Sequence, residues 1–166
     1  NTLQNEKKQA SDRLRLQMET VLKVIETTIN RHMSEISDYV SQGKDNPPVL
    51  GIKEYNSYSF ETPKDTGTGT NFKGMLIYDI SILNSTALPA LAHDSLLFAN
   101  VSDDTIGQIL ALYAREKQKQ IFIAFDRASK YDKMAQSIIR ENTVLKLDAD
   151  EQALFGRKWG RKDTAK

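Results

Sequence analysis

A loop rich in glycine and threonine is the part of this sequence best suited to phosphate chemistry. It directly precedes residues 72–83, which we predict to form a helix. Glycine lets the backbone approach a phosphate closely, and the N–H groups at a helix N-terminus can bond to its oxygens. Similar loops also occur as simple turns, so the motif alone leaves both interpretations open. The candidate phosphate-binding residues are Thr66, Gly67, Thr68, Gly69, Thr70 and Asn71.

Two aspartates each follow an apolar segment that we predict to be a buried strand. His93 and Asp94 come after residues 89–92, and Asp126 comes after residues 120–125. Ligands gather at the carboxyl ends of parallel strands. Asp94 could hold Mg²⁺ or orient an attacking water there, and Asp126 could bond to a water at a γ-phosphate. Each aspartate could equally cap the next turn.

The elements that must position these residues alternate between helix and strand. One or two short strands are predicted within residues 49–60. Helices are predicted over 105–117 and 130–141, with Ser102-Asp103-Asp104 capping the first of them. A last strand is predicted over 143–147. This order predicts an α/β fold with a doubly wound, mostly parallel sheet.

Residues 1–42 contain no glycine or proline and predict one long helix, about 60 Å in length. Apolar residues recur along it in steps of three and four, which draws one stripe. The first dozen residues are polar and carry only a thin stripe. We therefore predict a coiled-coil helix entering a globular domain at 43–166, the alternative being a core helix of an ordinary bundle. The stripe comprises Leu14, Met18, Val21, Ile25, Ile29, Met33, Ile36 and Val40.

Composition excludes several classes of protein. The chain has 166 residues and no cysteine, so disulfides and thiolate metal sites are excluded. No apolar run approaches about 18 residues, so no membrane span is expected. A net charge of +1 does not argue for nucleic acid, although basic residues cluster in the last ten positions. Because the first residue is Asn1, we expect a fragment or a processed chain.

The order of these elements resembles the C-terminal lobe of ABC-type ATPases of the SMC, RecF and RecN group. In that group a coiled-coil helix leads to a signature loop, a Walker B strand, a D-loop and a strand with a switch residue. The chain is more closely similar to the YydD-like group of bacterial SMC-like proteins. That resemblance rests on Tyr78-Asp79-Ile80 and His93-Asp94-Ser95. Asp79 lies among apolar helix residues and needs a partner, which we expect in the signature loop or the D-loop.

The resemblance assigns a role to each candidate residue. Residues 66–71 would be the signature loop, which reaches the γ-phosphate of ATP held by an opposing head. Either Asp94 takes the Mg²⁺-site position, leaving Ser95 where a catalytic glutamate is expected, or His93 and Asp94 replace the aspartate–glutamate pair. Residues 100–104, including Asp103, would form the D-loop. Asp126 stands where a switch histidine is expected.

The P-loop pattern G-x-x-x-x-G-K-[ST] does not occur in these 166 residues. The resemblance places it in an N-terminal lobe of the same protein, so ATP hydrolysis is expected only when the two lobes combine. It also implies ATP and Mg²⁺ as cofactors, a second head as homodimer partner, DNA, possible accessory subunits, no membrane, a cytoplasmic location, and a role in DNA repair or anti-phage or anti-plasmid defence. Two alternatives are a nucleotide-sensing pseudo-ATPase and a coiled-coil interaction module without nucleotide.

Overall fold

The computed structural model describes residues 2–126, 128–148 and 152–154. Its architecture is α/β with a long N-terminal helix, which confirms the predicted fold class. The elements in chain order are α1 (Thr2–Ser41), β1 (Val49–Glu54), β2 (Ser57–Glu61), α2 (Thr68–Ser85), β3 (Ala90–His93), α3 (Ser95–Phe98), α4 (Asp103–Arg115), β4 (Gln120–Ile123), a 3₁₀ turn (Ala128–Lys130) and α5 (Lys133–Asn142).

Helix α1 is exposed over its first half and joins the core only in its second half. Residues 2–21 are all exposed, whereas Ile29, Met33, Ile36 and Val40 are buried. The buried residues follow steps of four, three and four, which places them on one face of the helix. The helix ends where Gly43 has a φ of +70° and donates its N–H to the carbonyl of Asp38. The long helix predicted from the sequence is therefore confirmed.

Strands β1 and β2 form an antiparallel hairpin whose outer edge is closed by side chains of α1. Leu50 pairs with Phe60 across the hairpin. On its other side, Leu50 donates its N–H to Asn30 Oδ1 at 2.8 Å and accepts from Asn30 Nδ2 at 2.7 Å. The N–H of Ile52 donates to Glu26 Oε2 at 2.7 Å. These side chains satisfy backbone groups that a third strand would otherwise pair.

Strands β3 and β4 form a parallel pair in which His93 lies beside Ile123. The prediction of a strand at 143–147 is wrong, because these residues form no strand in the structure. Val144 is 94% exposed and Leu145 is 66% exposed. The apolar composition of the segment is typical of a strand, but a strand also needs a neighbour with which to pair its backbone, and no described strand lies beside this one.

Helix α2 is the centre of the core. Its residues Leu76, Ile77, Ile80 and Leu83 are buried, and it packs against α1, β3 and α3. At its C-terminal end, the ammonium group of Lys119 donates to the carbonyls of Leu83 and Thr86. A cation at this end also opposes the partial negative charge of the helix dipole. Within the described residues, no helix combines the length and apolar character needed to cross a membrane.

Candidate functional site

The predicted signature segment forms the N-terminus of α2. The helix begins at Thr68 rather than at Phe72, so Thr68 to Asn71 form its first turn instead of a preceding loop. Gly67 is the N-cap residue and makes no side-chain capping bond, since it has no side chain. The first N–H groups of an α-helix have no partner within the helix. This end of α2 therefore presents backbone donors and threonine hydroxyls, as a phosphate site requires.

Asp65 organises the approach to this helix end, although the sequence analysis did not single it out. Its Oδ1 accepts the N–H of Gly67 at 3.0 Å, and its Oδ2 accepts the hydroxyl of Thr70 at 2.6 Å. The Thr70 hydroxyl, followed by the Gly67 N–H, holds the pKa of Asp65 below its usual value. The signal that could have revealed it is an aspartate two residues before a glycine at a helix start, the pattern of an Asx turn.

The predicted signature segment and the predicted D-loop are in direct contact. A Cβ atom built on Gly69 would lie 2.6 Å from the backbone oxygen of Asn100. Because the obstacle is backbone, only glycine fits here without a shift of one segment. Two residues later, the hydroxyl of Ser102 caps α4 by accepting from the N–H of Thr105. The capping role predicted for Ser102 is therefore confirmed.

Asp94 lies exposed at the carboxyl end of β3 and caps the short helix α3. Its Oδ1 accepts from the backbone N of Ser95 at 2.6 Å and from the Ser95 hydroxyl at 3.3 Å. The capping interpretation of this residue is thus correct, but it does not exclude a second role. Both bonds within the described residues use Oδ1, which leaves Oδ2 as the oxygen that could bind a cation.

His93 is buried, and its side chain is only 2% exposed. Its Nε2 lies 3.0 Å from Asp79 Oδ2, and its Nδ1 lies 2.9 Å from the hydroxyl of Tyr113. The expectation that Asp79 bonds to the signature loop or the D-loop is therefore wrong, because its partner is His93. An imidazole has only two nitrogens, and both are already bonded.

Asp103 and Asp126 both act electrostatically on Tyr131. Asp103 Oδ1 lies 3.4 Å from Lys130 Nζ. Burial raises the pKa of Tyr131, and the negative charges of Asp103 and then Asp126 raise it further. The predicted D-loop acid is thus paired with Lys130, and both it and the predicted switch acid act on Tyr131 through their charge. Lys130 and Tyr131 could not be predicted from the sequence, because their proximity to Asp103 depends on tertiary packing.

The donor set at this edge fits Mg²⁺ held jointly with a phosphate. In the described part of the chain, no group of three or more histidine or acidic side chains is arranged to hold a metal by itself. Mg²⁺ is commonly bound through one or two carboxylates, water and substrate phosphate oxygens. The exposed carboxylate of Asp94, at a strand end beside β4, is of this kind.

The basic residues near the C-terminus, which were the only charge pattern favouring nucleic acid, lie outside the described residues, as does Trp159. The structure therefore does not test their roles. They are Arg157, Lys158, Arg161, Lys162 and Lys166.

Three solved structures show where this fold is found. One, from work on the ATP-driven dimerization and DNA-stimulated activation of SMC ATPases, has a TM-score of 0.60 and 14% identity, over 81% of this chain and 84% of that one. A second, an Smc head bound to the C-winged helix domain of ScpA, has a TM-score of 0.56 and 16% identity, over 72% and 39% of the two chains. A third is an Smc head with an extended coiled coil, bound to the C-terminal domain of ScpA from Pyrococcus furiosus. It has a TM-score of 0.56 and 12% identity, over 76% and 34%.

At these identities the likeness shows the fold, which is that of SMC ATPase heads. The chain spans most of the first structure but only about a third of each of the other two. None of the curated proteins compared matches this chain. The family described as "Uncharacterised protein conserved in bacteria (DUF2326)" matches residues 23–159, which is most of the sequence. The chain therefore belongs to the DUF2326 family of bacterial proteins.

Proposed function

We propose that this chain is the C-terminal half of an SMC-like ATPase head, of the YydD-like group, that binds ATP and Mg²⁺ between two dimerised heads. The observation that carries the proposal is the contact of Gly69 with Asn100. It joins the predicted signature segment to the predicted D-loop. In a head of this kind, these are the two segments that must act together on a nucleotide held by the opposing head.

A P-loop-bearing lobe is the first partner that we propose, and the exposed sheet supports it. Parallel strands are normally covered on both faces. Here Phe122 of β4 is 54% exposed, and Leu88, just before β3, is also exposed. Val144, Leu145 and Leu147 are further apolar residues that are exposed in the described chain. A second lobe that contributes strands and covers these residues would complete the sheet and supply the missing P-loop.

The burial of His93 supports the interpretation in which Asp94 takes the Mg²⁺-site position. Both imidazole nitrogens are bonded to protein atoms, so His93 could bind a metal only by breaking one of these bonds. Ser95 then stands where a general base is expected, and Asp126 replaces a switch histidine. Serine is a poor base, so slow or conditional hydrolysis follows from this assignment.

Each residue at this edge has a proposed task. The first turn of α2, with its backbone N–H groups and the hydroxyls of Thr66 and Thr68, would bind the γ-phosphate of the opposing head's ATP. The hydroxyl of Thr70 already donates to Asp65 and so holds the shape of this turn. Asp94 would hold Mg²⁺, which neutralises phosphate charge when bound. Asp103 and Asp126 would bond to groups around the nucleotide from the D-loop and the β4 end. Dimerisation and release of the heads would move α1, and through the coiled coil would act on DNA in repair or defence.

Ser95 also favours a second candidate function, a nucleotide-sensing pseudo-ATPase. Such a protein would bind ATP and dimerise without turnover. The exposed apolar stripe of α1 is the feature that would support the third interpretation, an interaction module without nucleotide.

The proposal is tested by combining this chain with the P-loop-bearing lobe and measuring binding of a non-hydrolysable ATP analogue with and without Mg²⁺. We expect Mg²⁺-dependent binding that is lost in Asp94→Ala and kept in Asp38→Ala, an exposed aspartate on α1. Turnover of ATP then separates the active enzyme from the pseudo-enzyme. The proposal would be overturned if the chain did not assemble with the lobe, or if assembly were the same with and without nucleotide and in Asp94→Ala.

A further inference from the structure

A hydrogen-bonded chain of three side chains centres on the buried His93 and ends at Asp79, which is partly exposed. Asp79 is on α2, His93 ends β3, and Tyr113 is on α4. The ring of His93 also packs edge-on against Phe98, with ring centroids 6.0 Å apart. The network therefore joins three elements that are separate in the sequence, and the function proposed above does not use it.

The direction of each hydrogen bond in this chain follows from its chemistry. Burial, and then the charge of Asp79, raise the pKa of Tyr113 well above its usual range, so its hydroxyl keeps its proton. When the imidazole is neutral, that hydroxyl donates to His93 Nδ1, and His93 Nε2–H donates to the Asp79 carboxylate. The imidazole is thereby held in one tautomer and one orientation. A buried network in which every member is satisfied is typical of a rigid connection.

The positions of Asp79 and Tyr113 along their helices explain what such a connection does. Asp79 lies eleven residues after the start of α2, about 16 Å along its axis, and Tyr113 lies ten residues after the start of α4, about 15 Å along. The starts of these two helices carry the predicted signature segment and the predicted D-loop. Gly69 and Asn100 hold the two starts together, while His93 holds the two helices farther along.

Two separated contacts between α2 and α4 fix the angle between their axes, whereas one contact would fix only the distance between them. We propose that His93 is a positioning residue that ties α2 and α4 to the end of β3, and so aligns the segment 66–71 and the D-loop with Asp94. This inference rests on the proposed function. It predicts that the network is needed for the step that uses all three segments, the closure of one head on the other. The network is not needed for a single head to bind nucleotide, because the P-loop lobe provides that binding.

Asp79 is the residue at which to test this, because it is partly exposed and can be changed without a cavity in the core. Asp79→Asn keeps an oxygen that accepts from His93, and Asp79→Leu removes it. In the chain assembled with the P-loop lobe, ATP-analogue affinity is measured under dilute conditions where heads are separate, and head–head affinity is measured at higher concentration. Asp79→Leu should weaken head–head affinity about tenfold, the effect of one part-buried charge-assisted hydrogen bond, with analogue affinity unchanged. Asp79→Asn should restore most of the loss.

Tyr113→Phe is the second variant, since it keeps the ring and removes only the hydroxyl. It should weaken head–head affinity in the same way. In nitrogen NMR spectra the His93 Nδ1 resonance should shift because it loses its hydrogen-bond donor, while Asp79 still holds the proton on Nε2. Tyr58→Phe, at an exposed tyrosine, is its control. Head–head affinity unchanged in Asp79→Leu and Tyr113→Phe would overturn the inference alone, as would an equal loss of analogue binding and head–head affinity. If the unaltered assembly binds no analogue, the proposed function fails and the inference fails with it.

Discussion

The backbone of Gly69 lies against the carbonyl oxygen of Asn100, so closely that a Cβ atom on Gly69 would be 2.6 Å from that oxygen. Gly69 belongs to the first turn of α2, and Asn100 belongs to the segment between α3 and α4. Thirty-one positions apart in sequence, they bring together the two segments to which we assign contact with the opposing head's nucleotide.

Gly69→Ala should force these two segments apart. Neither a helix backbone nor a carbonyl oxygen can yield as a flexible side chain would, so we expect a loss of about 1–3 kcal/mol in the free energy of unfolding and weaker head–head affinity. Gly74→Ala is the matched control on the same helix, where a Cβ would meet its nearest neighbours at 3.5 Å. It should leave stability unchanged or raise it by up to about 1 kcal/mol. Urea unfolding measures both, and equal effects of the two substitutions would contradict this account.

Asn30→Ala should loosen the hairpin from α1. The substitution removes both bonds to Leu50 and leaves a part-buried N–H and carbonyl unsatisfied at the edge of β1. We expect a loss of about 1–3 kcal/mol in the free energy of unfolding, together with faster hydrogen exchange at Leu50. Gln17→Ala, on the exposed half of the same helix, should change stability by less than about 0.5 kcal/mol. A comparable loss in both variants would show that Asn30 makes no special contribution.

The carboxyl of Asp65 should titrate below the usual aspartate range of about 4. Because its pKa is lowered in the folded chain, its bonds stabilise the α2 start fully above pH 4, and that contribution is lost as the pH falls through the folded value. An NMR titration of the Asp65 carboxyl carbon measures the midpoint. Thr70→Val removes the hydroxyl that contributes most, so the midpoint should rise towards that of an unstructured peptide. A midpoint at or above the peptide value in the unaltered chain would show that these bonds do not form.

Ser95→Glu should raise ATP turnover in the assembled head. If Asp94 holds Mg²⁺, Ser95 occupies the place of the general base, and a positioned carboxylate there should increase the rate at least about tenfold. Ser95→Gln has nearly the same shape and cannot accept a proton, so it should not raise the rate. If Ser95→Glu leaves turnover unchanged or lowers it, Asp94 itself is the base, or the head is built to bind ATP without hydrolysing it.

The spacing of apolar residues, together with the residues that stop or cap helices, predicted the main elements well. The stripe ending at Val40 and the stop at Gly43 predicted α1 to within a residue or two, and Ser102 was correctly placed as the cap of α4. These features are local, so a single segment carries the signal. The start of α2 was placed four residues late, because glycine and threonine favour a turn when read alone. In the structure the N–H of Asn71 donates to the carbonyl of Gly67, so the helix already includes these residues.

Pairing between distant residues could not be predicted. His93 stood beside Asp94 in sequence and was assigned to the same site, but successive residues at a strand end face opposite sides. His93 is buried against Tyr113, and Asp94 is exposed. Asp79 pairs with His93 because His93 is the residue at this strand end that faces inward. A strand at 143–147 would have needed an adjacent strand with which to pair, and composition cannot show whether one is present.

Nucleotide-dependent dimerisation of the assembled head tests the central claim most directly. Light scattering of this chain combined with its P-loop-bearing lobe, with and without a non-hydrolysable ATP analogue and Mg²⁺, reports the mass of the complex. We predict a doubling of mass only when analogue and Mg²⁺ are both present, and no doubling in Gly69→Ala or Asp94→Ala. A mass that stays the same under all conditions, or that doubles without nucleotide, would contradict the account and favour an interaction module.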